Sequence, residues 1–216
     1  MKALILGAGP GVSRAVAKLF GKKGFEIVLV SRSEEKLADE IRQLKELRIN
    51  ANYAIADVSD ENALRSLLNG LIMKNEVPDL VVYNAYVPSR TRLLDETWDS
   101  LKAQFDVNVG GTFNLLKIMI PVYERLGKGK ILVTGGGYAL HPGADSIGVS
   151  IGKAAQRNLV IAAAKKFADQ NIHLATVTIC GIVDGEDPKY ASSNIAEKYW
   201  ELFNQPTGSF EFEIIY

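Results

Sequence analysis

Leu4-Ile5-Leu6-Gly7-Ala8-Gly9-Pro10-Gly11-Val12-Ser13-Arg14 decides the reading of this chain. Its first three residues close an apolar run that begins at Ala3, and an apolar spacing of three and four begins after Gly11. A buried strand therefore turns sharply into a helix. Glycines at such a turn let the backbone fold tightly and bring bare helix N–H groups up to a pyrophosphate. The spacing is not Gly-x-Gly-x-x-Gly, because Val12 stands in the third glycine's place; it is Gly-x-x-x-Gly, with Gly7 and Gly11 as the fixed points. A sharp turn with no ligand and a nucleotide site are both open readings. The position at the head of a β-α-β pattern favours the second, with Gly7, Gly9, Pro10, Gly11 and Val12 as its contacts.

Outward from this turn, short β-branched runs alternate with longer amphipathic stretches. The spacing predicts strands over 3–6, 26–30, 51–56, 80–83, 130–134 and 173–179, with a further one over 210–215. It predicts helices over 12–22, 34–47, 61–73, 97–126, 147–169 and 194–203. The leading strands are apolar on both faces, as strands are when helices cover both sides of a parallel sheet. The expected fold class is α/β, a Rossmann-type doubly wound parallel sheet of about seven strands, in a single domain over 1–216. Ser33 before Glu34-Glu35, and Ser59-Asp60 before Glu61, mark two helix starts with capping oxygens and acids.

The composition excludes several function classes. Lys+Arg and Asp+Glu both number 25, so the 216-residue chain carries no net charge and is not expected to be held on nucleic acid or an anionic membrane. Its one cysteine, Cys180, can form no internal disulfide, and with His141 and His173 as the only histidines no metal centre is expected. A reducing, cytoplasmic setting is the expectation. The N-terminal apolar run does not continue as a secretory signal, because Gly7 to Gly11 interrupt it and Arg14 and Lys18 follow.

At the end of the second strand the chain reads Leu29-Val30-Ser31-Arg32-Ser33. An acid here would bind both ribose hydroxyls of NAD, whereas small Ser31 followed by cationic Arg32 suits a 2′-phosphate. NADP(H) is therefore expected in preference to NAD(H), against the plainer reading of Arg32 as a solvated surface arginine.

Together these landmarks give the chain a resemblance to the short-chain dehydrogenase/reductase superfamily over almost its whole length. Gly7-x-x-x-Gly11 looks like that family's cofactor turn, with Ser13 where its third glycine usually lies. Asp57-Val58 looks like the pair that contacts adenine, and Asn84-Ala85 like the Asn-Ala-Gly element, with Tyr86 replacing the glycine. Asn108 resembles the structural and catalytic asparagine, and Lys153 the lysine of Tyr-x-x-x-Lys, which the resemblance places beside the nicotinamide ribose as a cofactor contact as well as a catalytic residue. Cys180-Gly181-Ile182-Val183 resembles the Pro-Gly-x-Val turn at the nicotinamide, which makes Ile182 a cofactor contact.

The departures from the family pattern bear on the chemistry. Val149 stands where the resemblance implies the acid/base tyrosine, and Gly136 where it implies the serine that orients the carbonyl. Neither can move a proton. Tyr138, His141 and Ser150 are candidates for a substitute donor, and each also has a plainer reading, as pocket wall, loop residue and helix surface contact. Gly135-Gly136-Gly137 is expected to follow the fifth strand and leave room for a ligand or a strained turn, with Tyr86, Val87 and Pro88 as walls. The acidic stretch over 184–190 leaves little chain for a substrate lid, and Tyr199 and Trp200 read as packing or subunit contacts.

The resemblance implies a homodimer or tetramer, with Phe113–Val122 and Leu159–Phe167 as compatible surfaces. The function it implies is NADP-dependent reduction of a small carbonyl or activated alkene with a nonstandard proton donor, so a small-molecule substrate is expected alongside the nicotinamide dinucleotide. A catalytically silent NADP(H)-binding protein of structural or regulatory role is the alternative, and a ligand-free dimerisation module a third.

Overall fold

A computed structural model describes residues 1–216. The first strand, β1 (Lys2–Leu6), runs into the glycine turn and α1 (Val12–Lys22), and the alternation then continues through β2 (Glu26–Ser31), α2 (Glu34–Glu46), β3 (Ala51–Ile55), α3 (Glu61–Met73) and β4 (Leu80–Tyr83). The second half comprises α4 (Trp98–Phe105), α5 (Thr112–Leu126), β5 (Gly129–Gly136), α6 (Ile147–Phe167), β6 (Ile172–Ile179), α7 (Ser192–Phe203) and β7 (Glu213–Ile215). All strands are parallel in one seven-stranded sheet of order β3-β2-β1-β4-β5-β6-β7. The expected α/β doubly wound fold is the one observed.

The alternation of side chains along β1 divides the core. Ala3 and Ile5 pack with residues of α1, α2 and α7 on one face, and Leu4 and Leu6 with residues of α3, α5 and α6 on the other. No helix is long and apolar enough to cross a membrane. Strand order reverses between β1 and β4, where Leu6 pairs with Val30 on one side and with Tyr83 on the other. In a sheet of this kind the crevice at that reversal, beyond the carboxyl ends of the strands, is where ligands bind.

Three elements depart from expectation. The helix expected over 97–126 is interrupted by a π-helical stretch, Asp106–Gly111. The buried Tyr83 hydroxyl donates to the Val107 carbonyl at 2.5 Å, and Thr112 Oγ1 donates to the Asn108 carbonyl at 2.8 Å. Acceptors drawn into such bonds open the helical ladder. Gly111 permits the close approach, since a Cβ there would lie 2.1 Å from Tyr83 Oη.

The fifth strand is longer than expected: Gly135 and Gly136 belong to β5, paired with Thr178 and Ile179, and only Gly137 begins the turn. The last strand is shorter than 210–215, because Phe210 leaves the sheet to stack on His173 with ring centroids 4.2 Å apart.

Candidate functional site

The turn after β1 is built for close backbone approach. Gly7 has φ +82°, and the Gly7 and Ala8 N–H groups both donate to the Val30 carbonyl at 2.9 Å. Gly11 has φ +81° and begins α1. Ser33 and Asp60 cap α2 and α3 with side-chain oxygens, but α1 has no side-chain cap and no acid in its first turn. Its N–H groups and dipole are left for an anion, which fits the pyrophosphate of a dinucleotide. Ser13, which also lines the smaller of the two cavities at this turn, closes the loop, its hydroxyl donating to the Gly9 carbonyl and accepting from the Gly9 N–H.

Two cavities open on this turn and share Pro10, Asn84 and Tyr86 in their walls. The smaller, about 300 Å³, brings together Gly7, Gly9, Ser31, Arg32, Asp57, Val58 and Ala85 from four separate stretches of chain, the residues named above from the turn, from the end of the second strand and from the family resemblance. Lys36 also lines it, a second cation that the sequence reading missed, set in the first turn of α2 four residues after Arg32. Asp57 is held in place by the Ser59 N–H and hydroxyl, at 2.9 and 2.6 Å, and lies 3.6 Å from Arg32. Burial works to raise its carboxyl, but those hydrogen bonds and Arg32 hold it below the usual carboxylate range.

The larger cavity, about 720 Å³, lies above β5 and β6. Its walls carry Gly11 and Val12 from the turn, Tyr138 and His141 after β5, Val149 and Lys153 on α6, and Ile182 after β6. Of the three glycines, Gly135 is demanded by the sheet, since a Cβ there would lie 2.5 Å from Thr176 Oγ1. Gly137 is pressed by Cys180, whose Cα would lie 3.0 Å from such a Cβ. At Gly136 an added Cβ would meet only the aliphatic stem of Lys153, at 3.7 Å or more.

Lys153 is the buried cation of this cleft. Its ammonium donates to the Thr134 carbonyl at 2.7 Å and to Gln156 Oε1 at 2.9 Å, and sits 5.8 Å from the centre of the Tyr86 ring. Burial nevertheless lowers its pKa to about 8. Asn108 lines neither cavity. It is fully buried against Gly152, its side-chain amide has no hydrogen-bond partner, and it reaches Lys153 only through Thr112 and Gln156.

Ser150 does not bring a hydroxyl to the cleft, contrary to its candidacy as a link between lysine and substrate. Its side chain donates to the Ser146 carbonyl one turn back and accepts the Gly143 N–H, which leaves it buried beneath the loop. Tyr199, expected as packing, is fully buried; its hydroxyl bonds Thr134 Oγ1 at 2.6 Å, and Thr134 in turn donates to Asn84 Oδ1 at 2.8 Å. Asn84 Nδ2 donates to the Gly7 carbonyl, so a chain of side chains ties α7, β5, β4 and the glycine turn together. After β6, Asp184 bonds Tyr190 and Ser192, which folds the short acidic stretch back on itself.

Residues 1–194 match the family described as short chain dehydrogenase. An uncharacterized oxidoreductase of Staphylococcus epidermidis is 27% identical over 217 residues, covering 95% of this chain and 91% of its own length. A 3-oxoacyl-(acyl-carrier-protein) reductase of Thermotoga maritima is 23% identical over 177 residues, covering 81% of this chain and 71% of its own. Among solved structures, a metagenomic short-chain oxidoreductase in complex with NADP superposes with a TM-score of 0.90 at 24% identity, over 100% of this chain and 96% of that one. An alcohol dehydrogenase of the archaeon Thermococcus sibiricus, complexed with 5-hydroxy-NADP, gives 0.87 at 23%, over 100% and 95%.

Proposed function

The chain belongs to the short-chain dehydrogenase family, and we propose that it is an NADP(H)-dependent reductase of a small carbonyl or activated alkene. The observation that carries this reading is the pair of adjoining cavities along the strand ends, with Arg32 and Lys36 at one end and Lys153 at the other. The adenosine half would lie over Asp57 and Val58, the pyrophosphate at α1, and the nicotinamide between Ile182 and Lys153. When bound, the cofactor supplies a hydride. The site is atypical for the family in placing Val149 and Gly136 where the resemblance implies the proton-moving tyrosine and its partner serine.

Preference for NADP(H) is supported by the serine and two cations of the smaller cavity. Arg32→Ala should weaken NADPH binding about 10- to 100-fold, the loss of one charged hydrogen-bonding partner, and change NADH binding about threefold or less. Calorimetric titration of both cofactors reads this directly, and tighter binding of NADH by the unaltered protein would reverse the assignment. NADPH oxidation across a panel of aldehydes, ketones and enones tests the reaction; cofactor binding with no turnover on any of them would make the chain a silent cofactor-binding protein.

The reading includes cytoplasmic residence and pairing with a second copy. On α5 the expected contact surface is mostly consumed by the core, since Leu116, Ile118, Met119, Ile120 and Val122 are buried within the chain. Phe113, with Phe105 just before the π stretch, is exposed and free to pair. Sedimentation should give a mass about twice the 23.6 kDa of one chain or a multiple of that; a monomer would remove the pairing.

A further inference from the structure

Three walls of the larger cavity are large apolar side chains that the chain itself leaves uncovered: Tyr86 is 54% exposed, Tyr138 45% and Ile182 80%. Such residues scattered over a surface need no explanation, but gathered in one concave cleft they mark a surface that gains from being covered by a ligand. Tyr138 is also braced. A Cβ on Gly143 would lie 2.8 Å from its ring, so the ring rests on that backbone and keeps its place as a flat wall. Val149 and Gly136 add no polar side chain to the cleft, and an added Cβ at Gly136 would meet only the aliphatic stem of Lys153.

Charge in the cleft works against an anion. Lys153 is the only lysine or arginine among its walls, and that ammonium is buried and already donates to the Thr134 carbonyl and Gln156 Oε1. The one carboxylate there, Asp184, adds a negative charge, with Oδ2 3.9 Å from the place of a Cβ on Gly11. A carboxylate or phosphate carried on the substrate would therefore give up water without meeting a free cation, which is costly.

We propose that this cleft takes an uncharged aldehyde, ketone or enone that carries an aromatic ring, and that Tyr138 is the specificity-determining residue against which the ring lies. The proposal rests on the reductase reading and narrows its small carbonyl to this class. Flat walls favour a flat partner, because offset or edge-on contacts between rings add to what burial of area alone supplies. The volume agrees: 720 Å³ falls within the range of about 300–1,000 Å³ that takes a drug-sized molecule, room for one ring beside the nicotinamide.

Calorimetric titration of the protein saturated with NADP+ tests this without turnover. Methyl benzoate should bind about tenfold or more tightly than benzoate. Tyr138→Ala should weaken methyl benzoate about 3- to 10-fold and methyl cyclohexanecarboxylate by less, since the saturated ring loses area but no pairing of rings. His141→Arg puts a free cation at an exposed loop position in the wall of the same cleft, and should raise the affinity for benzoate about tenfold relative to its ester. In turnover, para-carboxybenzaldehyde should be a poorer substrate than its methyl ester. The ratio of their kcat/KM values should move by a similar factor in His141→Arg, a comparison in which intrinsic reactivity cancels.

Equal or tighter binding of benzoate by the unaltered protein, or a ratio that ignores His141→Arg, overturns the exclusion of anions. Equal losses of the aromatic and the saturated ester in Tyr138→Ala overturn the role of Tyr138. If the esters bind as expected and no carbonyl is reduced, the reductase reading fails while the preference of the cleft stands. If carbonyls are reduced and the charged or aliphatic ones are favoured, the preference fails while the reductase reading stands.

Discussion

Val149→Tyr combined with Gly136→Ser should raise turnover of NADPH with a carbonyl substrate about 10- to 100-fold over the unaltered chain. The argument is local. Val149 lies one helical turn before Lys153, and both side chains line the same 720 Å³ cleft, so a ring at 149 has open space before it and a cation beside it. A neighbouring ammonium favours the phenolate and so lowers the phenol's pKa towards working pH, which makes it a stronger acid than it is in water. A serine at 136 costs little, because its Cβ would make only ordinary contact with the lysine stem and its hydroxyl could hold the carbonyl oxygen. General acid catalysis contributes typically about 10²- to 10⁴-fold, and a donor introduced into a cleft not shaped around it should reach the lower part of that gain. Val149→Phe with Gly136→Ser separates chemistry from shape. Equal turnover by the Phe and Tyr versions would show that the hydroxyl does nothing, and the placement of these two positions at the reacting centre would fall.

What the sequence made legible follows from how locally each feature is determined. Apolar runs on both faces of β1 and β2 need no tertiary information to be read as buried parallel strands, and Gly7 and Gly11 adopt the positive φ values that the turn requires. Arg32 was singled out because a cation at the end of the second strand carries its chemistry with it, whereas Asp57 and Lys153 were named through the family resemblance; the structure places Arg32 and Asp57 on the smaller cavity and Lys153 on the larger. The chain of bonds behind Lys153 was not readable. Gln156 meets Thr112 across 44 positions, and neither residue is unusual on its own helix. The only signal was that Gln156 follows Lys153 at a three-residue spacing, which puts the two on one face.

Ser150 shows the limit of the same rule. Three residues before Lys153, it shares that face by spacing, yet its hydroxyl is taken by Ser146 and Gly143, a contact that depends on how the loop over 140–146 returns to α6. The interrupted helix has a similar cause. Tyr83 reaches the Val107 carbonyl from β4, and no periodicity within 97–126 announces a partner from another strand.

Gly7→Ala and Gly9→Ala should have opposite effects, one on the fold and one on the ligand. At Gly7 an added Cβ would lie 2.3 Å from the Ala85 backbone nitrogen, and φ is +82°, so both space and conformation oppose the substitution. Neither backbone can yield cheaply, because Ala85 lies two residues beyond the end of β4 and Gly7 is fastened to the Val30 carbonyl. A left-handed strain of about 1–2 kcal/mol, together with displacement of that backbone, should destabilise the protein by about 3 kcal/mol and lower Tm by about 10 °C. Gly9 has nothing within 4 Å of the corresponding position, and its φ lies outside the left-handed range. Gly9→Ala should therefore leave Tm within about 2 °C of the unaltered chain. Yet Gly9 lines the smaller cavity, and the methyl group would occupy space that the cofactor needs, so NADPH should bind about tenfold more weakly or worse. Thermal melts and cofactor titrations on the same two variants decide the matter. If Gly9→Ala bound NADPH as well as the unaltered chain, the cofactor would not pass over this turn. If Gly7→Ala melted normally, the approach of β4 would not be what demands a glycine there.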